Sequence, residues 1–474
     1  MRDLIYLAEP TLLFRHHQAM EDPRDGLTLF GPLDTGKPYG IRVGVVGTQA
    51  GIDRYVRWVT RIQRPIINDA SDVVHPSFPG FQAAFRTLWE PTPTVQLIVP
   101  AYELDSVVRL DDQHQRVYKT VDVYSRRIIR SIDEDEVAVD MWFVIVPDEV
   151  YKYCRPESTI VSAERIHAEN SLKPSEVKHL RRQPALLPEM NESAIPYQYE
   201  VQFRNQLKAR LLGHGAATQI VRESTMTPED FLDQWGHPKR RLDTASAVAW
   251  NLSTAVFYKA GGRPWKLANI REGVCYVGVV FKGAVGPWYN PESREYHLSR
   301  TDAAKLVGVA MESYERFVGQ PPKELFFHGK VRFDDDEWAG FRDAVGPSTN
   351  LVGVRIREDS DLRLYGRGKY PLLRGLAYIR DKRTAFLWTR GFVPRLQTYA
   401  GMEVPRPLMI DVHRGDADIT SVLGDIMALT KLNYNAAIFA DGQPVTLRFA
   451  DAVGEILTAG PNDATPKLPF KYYI

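Results

Sequence analysis

The pattern that most limits the fold is a set of short apolar runs, rich in β-branched residues and each stopped by glycine or proline. One is Ile41-Arg42-Val43-Gly44-Val45-Val46, a second Val95-Gln96-Leu97-Ile98-Val99-Pro100, a third Met141-Trp142-Phe143-Val144-Ile145-Val146-Pro147. Runs this short, with helical stretches between them, predict strands of a parallel sheet covered on both faces. Residues 199–212 read as a helix. Ala245, Val248, Ala249, Leu252, Ala255 and Val256 recur at helical spacing on another, which Gly261-Gly262 ends because glycine tolerates a left-handed cap. Between these groups, residues 155–196 are polar and punctuated by Pro156, Pro184, Pro188 and Pro196, and predict a long surface insertion. A first domain over residues 1–268 follows.

The second half has a different rhythm. Strands are expected near 275–281, 324–328, 351–356, 375–379, 384–387 and 408–412. Helices are expected over 302–317, after the acidic run Asp334-Asp335-Asp336-Glu337, and over 419–429 and 445–457. Neighbouring strands with short links predict a mixed sheet, hence a second α/β domain over 269–474.

The 474 residues are enough for two cores. Lysine and arginine number 60 against 59 acidic residues, so any anion-binding surface must be local. Basic residues thicken over 204–241 and 355–390, for which a solvated face is the plain alternative. Two cysteines, Cys154 and Cys275, give neither a disulfide framework nor a cysteine zinc site. No apolar run reaches the roughly eighteen residues of a membrane helix, and Met1-Arg2-Asp3-Leu4-Ile5-Tyr6 has no signal-peptide pattern. A cytoplasmic protein without a membrane partner is expected. Gly31-Pro32-Leu33-Asp34-Thr35-Gly36-Lys37 has P-loop spacing, but Pro38 stands where a magnesium-binding Ser or Thr belongs, so a glycine-rich connector is the better reading.

Three later segments share an order and spacing: Leu429-Thr430-Lys431-Leu432-Asn433-Tyr434-Asn435, then Gln443-Pro444-Val445-Thr446-Leu447-Arg448-Phe449-Ala450-Asp451, then Phe470-Lys471-Tyr472-Tyr473-Ile474. They resemble the PIWI domain of Argonaute proteins. Upstream, residues 202–225 and Phe257-Tyr258-Lys259-Ala260-Gly261-Gly262-Arg263-Pro264-Trp265 resemble the family's MID domain. With no room for further domains, the match is to short prokaryotic Argonautes. The resemblance implies a Rossmann-like MID domain joined to an RNase H-like PIWI domain. It also implies a guide 5′-phosphate site of Arg204, Lys208, Gln219 and Lys259, with Mg2+ held beside the phosphate by Gln219 and the carboxylate of Ile474. Arg204 departs from the family's Tyr or His, replacing a stacking ring with a planar charged fork. Arg204 and Lys208, four apart, share one helical face, as a solvated helix would also have them.

Family members that cut use two metal ions held by acidic residues. Val280 ends the strand where the first Asp belongs. No acid follows Phe326-Phe327-His328-Gly329-Lys330 until Asp334. Asp451 fills the fourth position, and the tetrad glutamate has no counterpart that aligns. No catalytic residue is therefore expected. Asp451 is expected to make a structural hydrogen bond or salt bridge, and His328 a packing contact. The resemblance further implies a guide RNA, a complementary single-stranded DNA target, and a separately encoded APAZ effector in prokaryotic immunity. A sirtuin-like NAD-hydrolase is favoured for that effector, with a TIR domain or nuclease as alternatives. A slicing nuclease and a nucleic-acid scaffold without effector are the rival readings.

Overall fold

The structure is a computed structural model that describes residues 3–34, 37–69, 71–134, 137–183, 188–281, 288–290, 295–368, 370, 372–397, 404–461 and 468–474. The chain forms two compact units, neither contiguous in sequence. One comprises Asp34–Ile67, Ser77–Pro264 and Glu455–Ile474; the other comprises Met1–Leu33, Asn68–Pro76 and Trp265–Gly454.

The first unit is built on the three expected strands, Val43–Gly47 (β1), Val95–Ile98 (β2) and Met141–Val146 (β3), and on Thr218–Arg222 (β4). All pair in parallel, in the order β2-β1-β3-β4. β1 and β3 are buried at every position, as their unbroken apolar runs require. Helices Gln49–Ile62 (α1), Gln113–Glu134 (α2), Phe203–Leu211 (α3) and Ala245–Lys259 (α4) surround the sheet. Phe143 of β3 meets Tyr55 edge-on at 5.1 Å between ring centres and lies 6.1 Å from Trp89, an aromatic core on one side of the sheet. On the other, Val117, Val121, Tyr124 and Ile128 of α2 pack with Phe203, Leu207 and Leu211 of α3.

Sheets of this order offer a ligand crevice between β1 and β3, at the N-terminus of the first helix. Here the chain fills it. Thr48 caps α1 by accepting from the Gly51 amide at 3.0 Å, and its hydroxyl donates to buried Glu223 at 2.9 Å. The other Glu223 oxygen accepts from Arg54 at 3.0 Å. Burial raises the Glu223 pKa, against the pull of Thr48 and Arg54. A carboxylate thus takes the place of a phosphate. In the P-loop-like segment, Thr35 and Gly36 lie outside the described residues, while Lys37 pairs with Asp140.

The second unit carries a mixed seven-stranded sheet. Val274–Val279 (β5), Glu324–Gly329 (β6) and Asn350–Glu358 (β7) run parallel, while Leu376–Ile379 (β8), Thr384–Leu387 (β9) and Leu408–Arg414 (β10) add antiparallel neighbours. Helices Arg300–Val318 (α5) and Asp335–Ala344 (α6) pack on β5 and β6 through Val307, Phe327 and Phe341. Ile419–Leu429 (α7) and Val445–Leu457 (α8) run where the sequence places them. The acidic run before α6 is a capping box, with Asp334 accepting from the Glu337 amide and Glu337 from that of Asp334.

The linear division at 268/269 needs revision at both ends. Leu4–Tyr6 pairs antiparallel with β8, and Leu12–Leu13 with Lys266–Leu267, so backbone hydrogen bonding carries the N-terminal lead into the second unit. The Ala459 carbonyl accepts from the Glu200 amide at 2.9 Å, which ties the C-terminal segment to the first. The 155–196 segment is largely exposed but not featureless. It holds helices Pro174–Arg182 and Pro188–Ala194 and buries Ile160 and Ala168, while Pro184 lies outside the described residues.

Two glycines test the packing with opposite signs. A Cβ on Gly278 of β5 would stand 2.1 Å from the Thr446 carbonyl oxygen of α8; one on Gly308 of α5 would meet nothing within 4 Å. Gly278→Ala is expected to destabilise by at least roughly 1–3 kcal/mol, as overpacking against rigid backbone does. Gly308→Ala is expected to stabilise by roughly 0.5–1 kcal/mol through helix propensity. Urea unfolding midpoints of the two variants measure both.

Candidate nucleic-acid interface

α3 begins after Gln202, whose backbone is extended. Its apolar stripe, Phe203-Leu207-Leu211, is driven into the core, and this fixes the rotation of the helix. Arg204 and Lys208 then lie on an adjacent face that is not solvated, since Lys208 is only 3% exposed. Its ammonium donates to the Ile474 carbonyl oxygen at 2.8 Å, the Thr218 carbonyl at 3.2 Å and the Thr218 hydroxyl at 3.3 Å. Lys259, at the last residue of α4, is equally buried and donates to the Gln219 side-chain oxygen at 2.5 Å. Arg204 donates to the Asn205 side chain at 3.0 Å and reaches the Tyr473 carbonyl at 3.5 Å. All five residues singled out in the sequence thus meet in one place within one unit. Thr218 and the Tyr473 carbonyl join them; Thr218 adjoins Gln219 in sequence, but nothing marked the carbonyl.

The electrostatics of the cluster are set by burial and by the cations' mutual repulsion. Burial drives the Lys208 pKa well below its usual value, and Lys259 and Arg204 push it further. Lys259 falls to about 7, from burial first and Arg204 second. Arg204 is lowered by burial, with Glu455 opposing. The Thr218 carbonyl and hydroxyl and the Gln219 side-chain oxygen that accept from the two ammoniums are neutral, while the Ile474 oxygen belongs to the terminal carboxylate. Buried cations that repel one another call for a negative ligand.

The positions that the resemblance compares with the cutting acids lie at one end of the second unit's sheet. β5 and β6 pair up to Val279 opposite Gly329, and Val280 and Lys330 are the next residue of each strand. Val280 packs partly buried against the sheet core. Lys330 pairs with Asp451 of α8, the salt bridge expected of that acid. His328 is buried, with Nδ1 2.9 Å from the Thr446 hydroxyl, and desolvation lowers its pKa to about 3, so the ring is neutral. A further acid, Asp411 of β10, was not anticipated. It accepts from Arg332 at 2.7 Å and lies 3.3 Å from Arg355. The apolar run around it reads as an ordinary buried strand.

This is an α/β fold of Argonaute type, similar to the MID and PIWI domains of those proteins. No family model and no curated protein matches the chain. Among solved structures, Clostridium butyricum Argonaute bound to a guide DNA (5′ deoxycytidine) and a 19-mer target DNA is similar at a TM-score of 0.60 and 13% identity, over 100% of this chain and 55% of that one. Aa-Ago with externally bound siRNA is similar at 0.55 and 14% identity, over 99% and 56%. A. aeolicus Argonaute is similar at 0.53 and 14% identity, over 96% and 53%. The chain spans about half the length of these proteins.

The depressed Lys259 pKa gives a pH dependence of defined sign. Between about pH 7 and the ordinary lysine value the unfolded chain holds a proton that the folded chain does not, so this group's contribution to stability rises with pH across that window. An anion reverses the bias, because it favours the charged ammonium. Inorganic phosphate is expected to bind with proton uptake above pH 7 and to weaken by up to about tenfold per pH unit there. Calorimetric titrations in buffers of different ionisation enthalpy count that proton.

Proposed function

We propose that this chain binds a 5′-phosphorylated guide strand at the Arg204, Lys208, Lys259 cluster and uses it to capture a complementary strand without cutting it. The observation that carries the reading is the convergence of two buried lysines, Lys208 and Lys259, and the part-buried Arg204 on one place. A terminal phosphate brings up to two negative charges and three acceptor oxygens. Hydrogen bonds to such a group contribute roughly 1.5–3 kcal/mol each. The similarly folded Clostridium butyricum protein holds a guide DNA and a target DNA, which supports the reading. Sequence discrimination then comes from base pairing, with the protein holding phosphate and backbone. We assign RNA to the guide and single-stranded DNA to the target.

Magnesium by itself does not suit this donor set, because the Gln219 and Ile474 oxygens already accept from Lys259 and Lys208. Together with a phosphate it does, since a dianion draws both ammoniums to itself and leaves the two oxygens to Mg2+, which supplies charge neutralisation. The chain has no catalytic role in this proposal. Val280 offers no ligand atom, and Lys330 beside Asp451 repels a divalent ion. The consequence of capture is assigned to a partner, an APAZ effector whose sirtuin-like domain hydrolyses NAD in a cytoplasmic immune response.

Lys208→Ala is expected to cost roughly 2–5 kcal/mol of affinity for a 5′-phosphorylated guide, as loss of one member of a buried charge pair does. A 5′-hydroxyl guide is expected to bind wild type and variant alike, and weakly. Titrations at one fixed salt concentration decide, and equal losses for both guides overturn the assignment. Guide-loaded protein is also expected to leave a complementary strand intact in Mg2+ or Mn2+; guide-dependent cleavage by a nuclease-free preparation refutes that part.

A further inference from the structure

A cavity of about 370 Å³ opens in the first unit, apart from the cation cluster. Its deep wall is apolar: Trp58 of α1, Met226 just past β4 and Val248 in the first turn of α4, with Trp58 and Met226 buried. Its mouth is charged, lined by Arg61, Arg240, Arg241 and Asp243. Arg240 is tied back by the Ser224 and Thr225 hydroxyls at 3.2 and 2.5 Å. The side chains of Arg61, Arg241 and Asp243 make no hydrogen bond or ion pair among the described residues. Arginines usually find such partners when a carboxylate stands nearby, as Arg54 and Arg57 do with Asp230 on the same unit. Here two guanidiniums and a carboxylate are left over around one apolar hole.

We infer that this cavity is a nucleotide-binding site, distinct from the guide-phosphate cluster. Its volume falls in the range of small-ligand pockets, which are largely apolar with a few convergent polar groups. A planar base suits the Trp58, Met226 and Val248 wall. The free carboxylate of Asp243 accepts from an exocyclic amine, which selects a base of the adenine type over a fatty acid or a simple sugar phosphate. The Arg61 and Arg241 guanidiniums take the phosphate. Val248 and Lys259 lie on the same helix eleven residues apart, about 16 Å at 1.5 Å per residue, so one small ligand does not reach both places. The inference stands whether or not the cation cluster holds a guide.

The test is calorimetric titration of the full chain with AMP, adenosine and inorganic phosphate. AMP is expected to bind, adenosine at least tenfold more weakly, and phosphate more weakly still. Arg61→Glu and Arg241→Glu, both on exposed side chains, are each expected to weaken AMP at least tenfold, and Val248→Trp to abolish its binding by filling the hole. Thermal melts establish that each variant is folded, and the two surface variants carry the test if Val248→Trp is not. Lys208→Ala is expected to lose phosphate binding at the cation cluster and to keep the AMP binding that Arg61→Glu and Arg241→Glu weaken. No AMP binding at millimolar concentration, AMP binding unchanged in the arginine variants, or AMP binding lost only in Lys208→Ala overturns the inference.

Discussion

Repulsion among Arg204, Lys208 and Lys259 is the constraint on which the first unit turns. Removing an ammonium from water costs several kcal/mol even after the protein relaxes. The unit meets that cost with the Thr218 carbonyl and hydroxyl, the Gln219 amide oxygen and one terminal oxygen of Ile474. These fix where each donor points, and the single carboxylate at Ile474 does not balance three cationic side chains. Donors held in place by the protein lose little conformational freedom when a ligand arrives. The anchoring of α3 through Phe203, Leu207 and Leu211, and the return of the C-terminal segment to Lys208, both serve that arrangement.

Charge is handled in the opposite way at the N-terminus of α1. A helix start at the switch point of a parallel sheet attracts anions by its dipole and its free amides. Glu223 lies there with Thr48 and Arg54 as partners, so the crevice common to this sheet order is closed by the chain itself. One unit thus carries a carboxylate held at a helix start by Thr48 and Arg54 and, elsewhere, a cluster of cationic side chains. The net charge of +1 conceals this, because the imbalance is local and not global.

The sheets were legible because their strands are short, apolar and bounded. β9, α7 and α8 occur at the residues the sequence pattern places them. The convergence of the cations was legible only through resemblance, since spacing tells that Arg204 and Lys208 share a face but not that the face is buried. That depends on which stripe of α3 the core takes, a tertiary fact. The interleaving of the units was not legible. Leu4–Tyr6 pairs with β8 some 370 residues later through backbone hydrogen bonds, which carry no side-chain signature. Nor did any local pattern mark the partners of Asp411, because Arg332 and Arg355 come from other segments.

At the end of the second unit's sheet the acids are paired with basic side chains. An acid that holds a metal must keep its oxygens free, and here Asp451 has Lys330 and Asp411 has Arg332 and Arg355. The ion pairs provide internally the positive charge that divalent ions would bring. His328 is kept neutral by burial and bonded to Thr446, with Gly278 beside it in register and α8 close against that glycine. An aspartate placed at position 280 would enter a half-buried apolar position one residue beyond the pair of Val279 with Gly329, near the strand end that carries Lys330. Its effect would therefore not add to that of replacing Lys330, since neighbouring charges in one network couple. The valine and the lysine are two parts of one electrostatic state, in which the sheet end is stable without an ion.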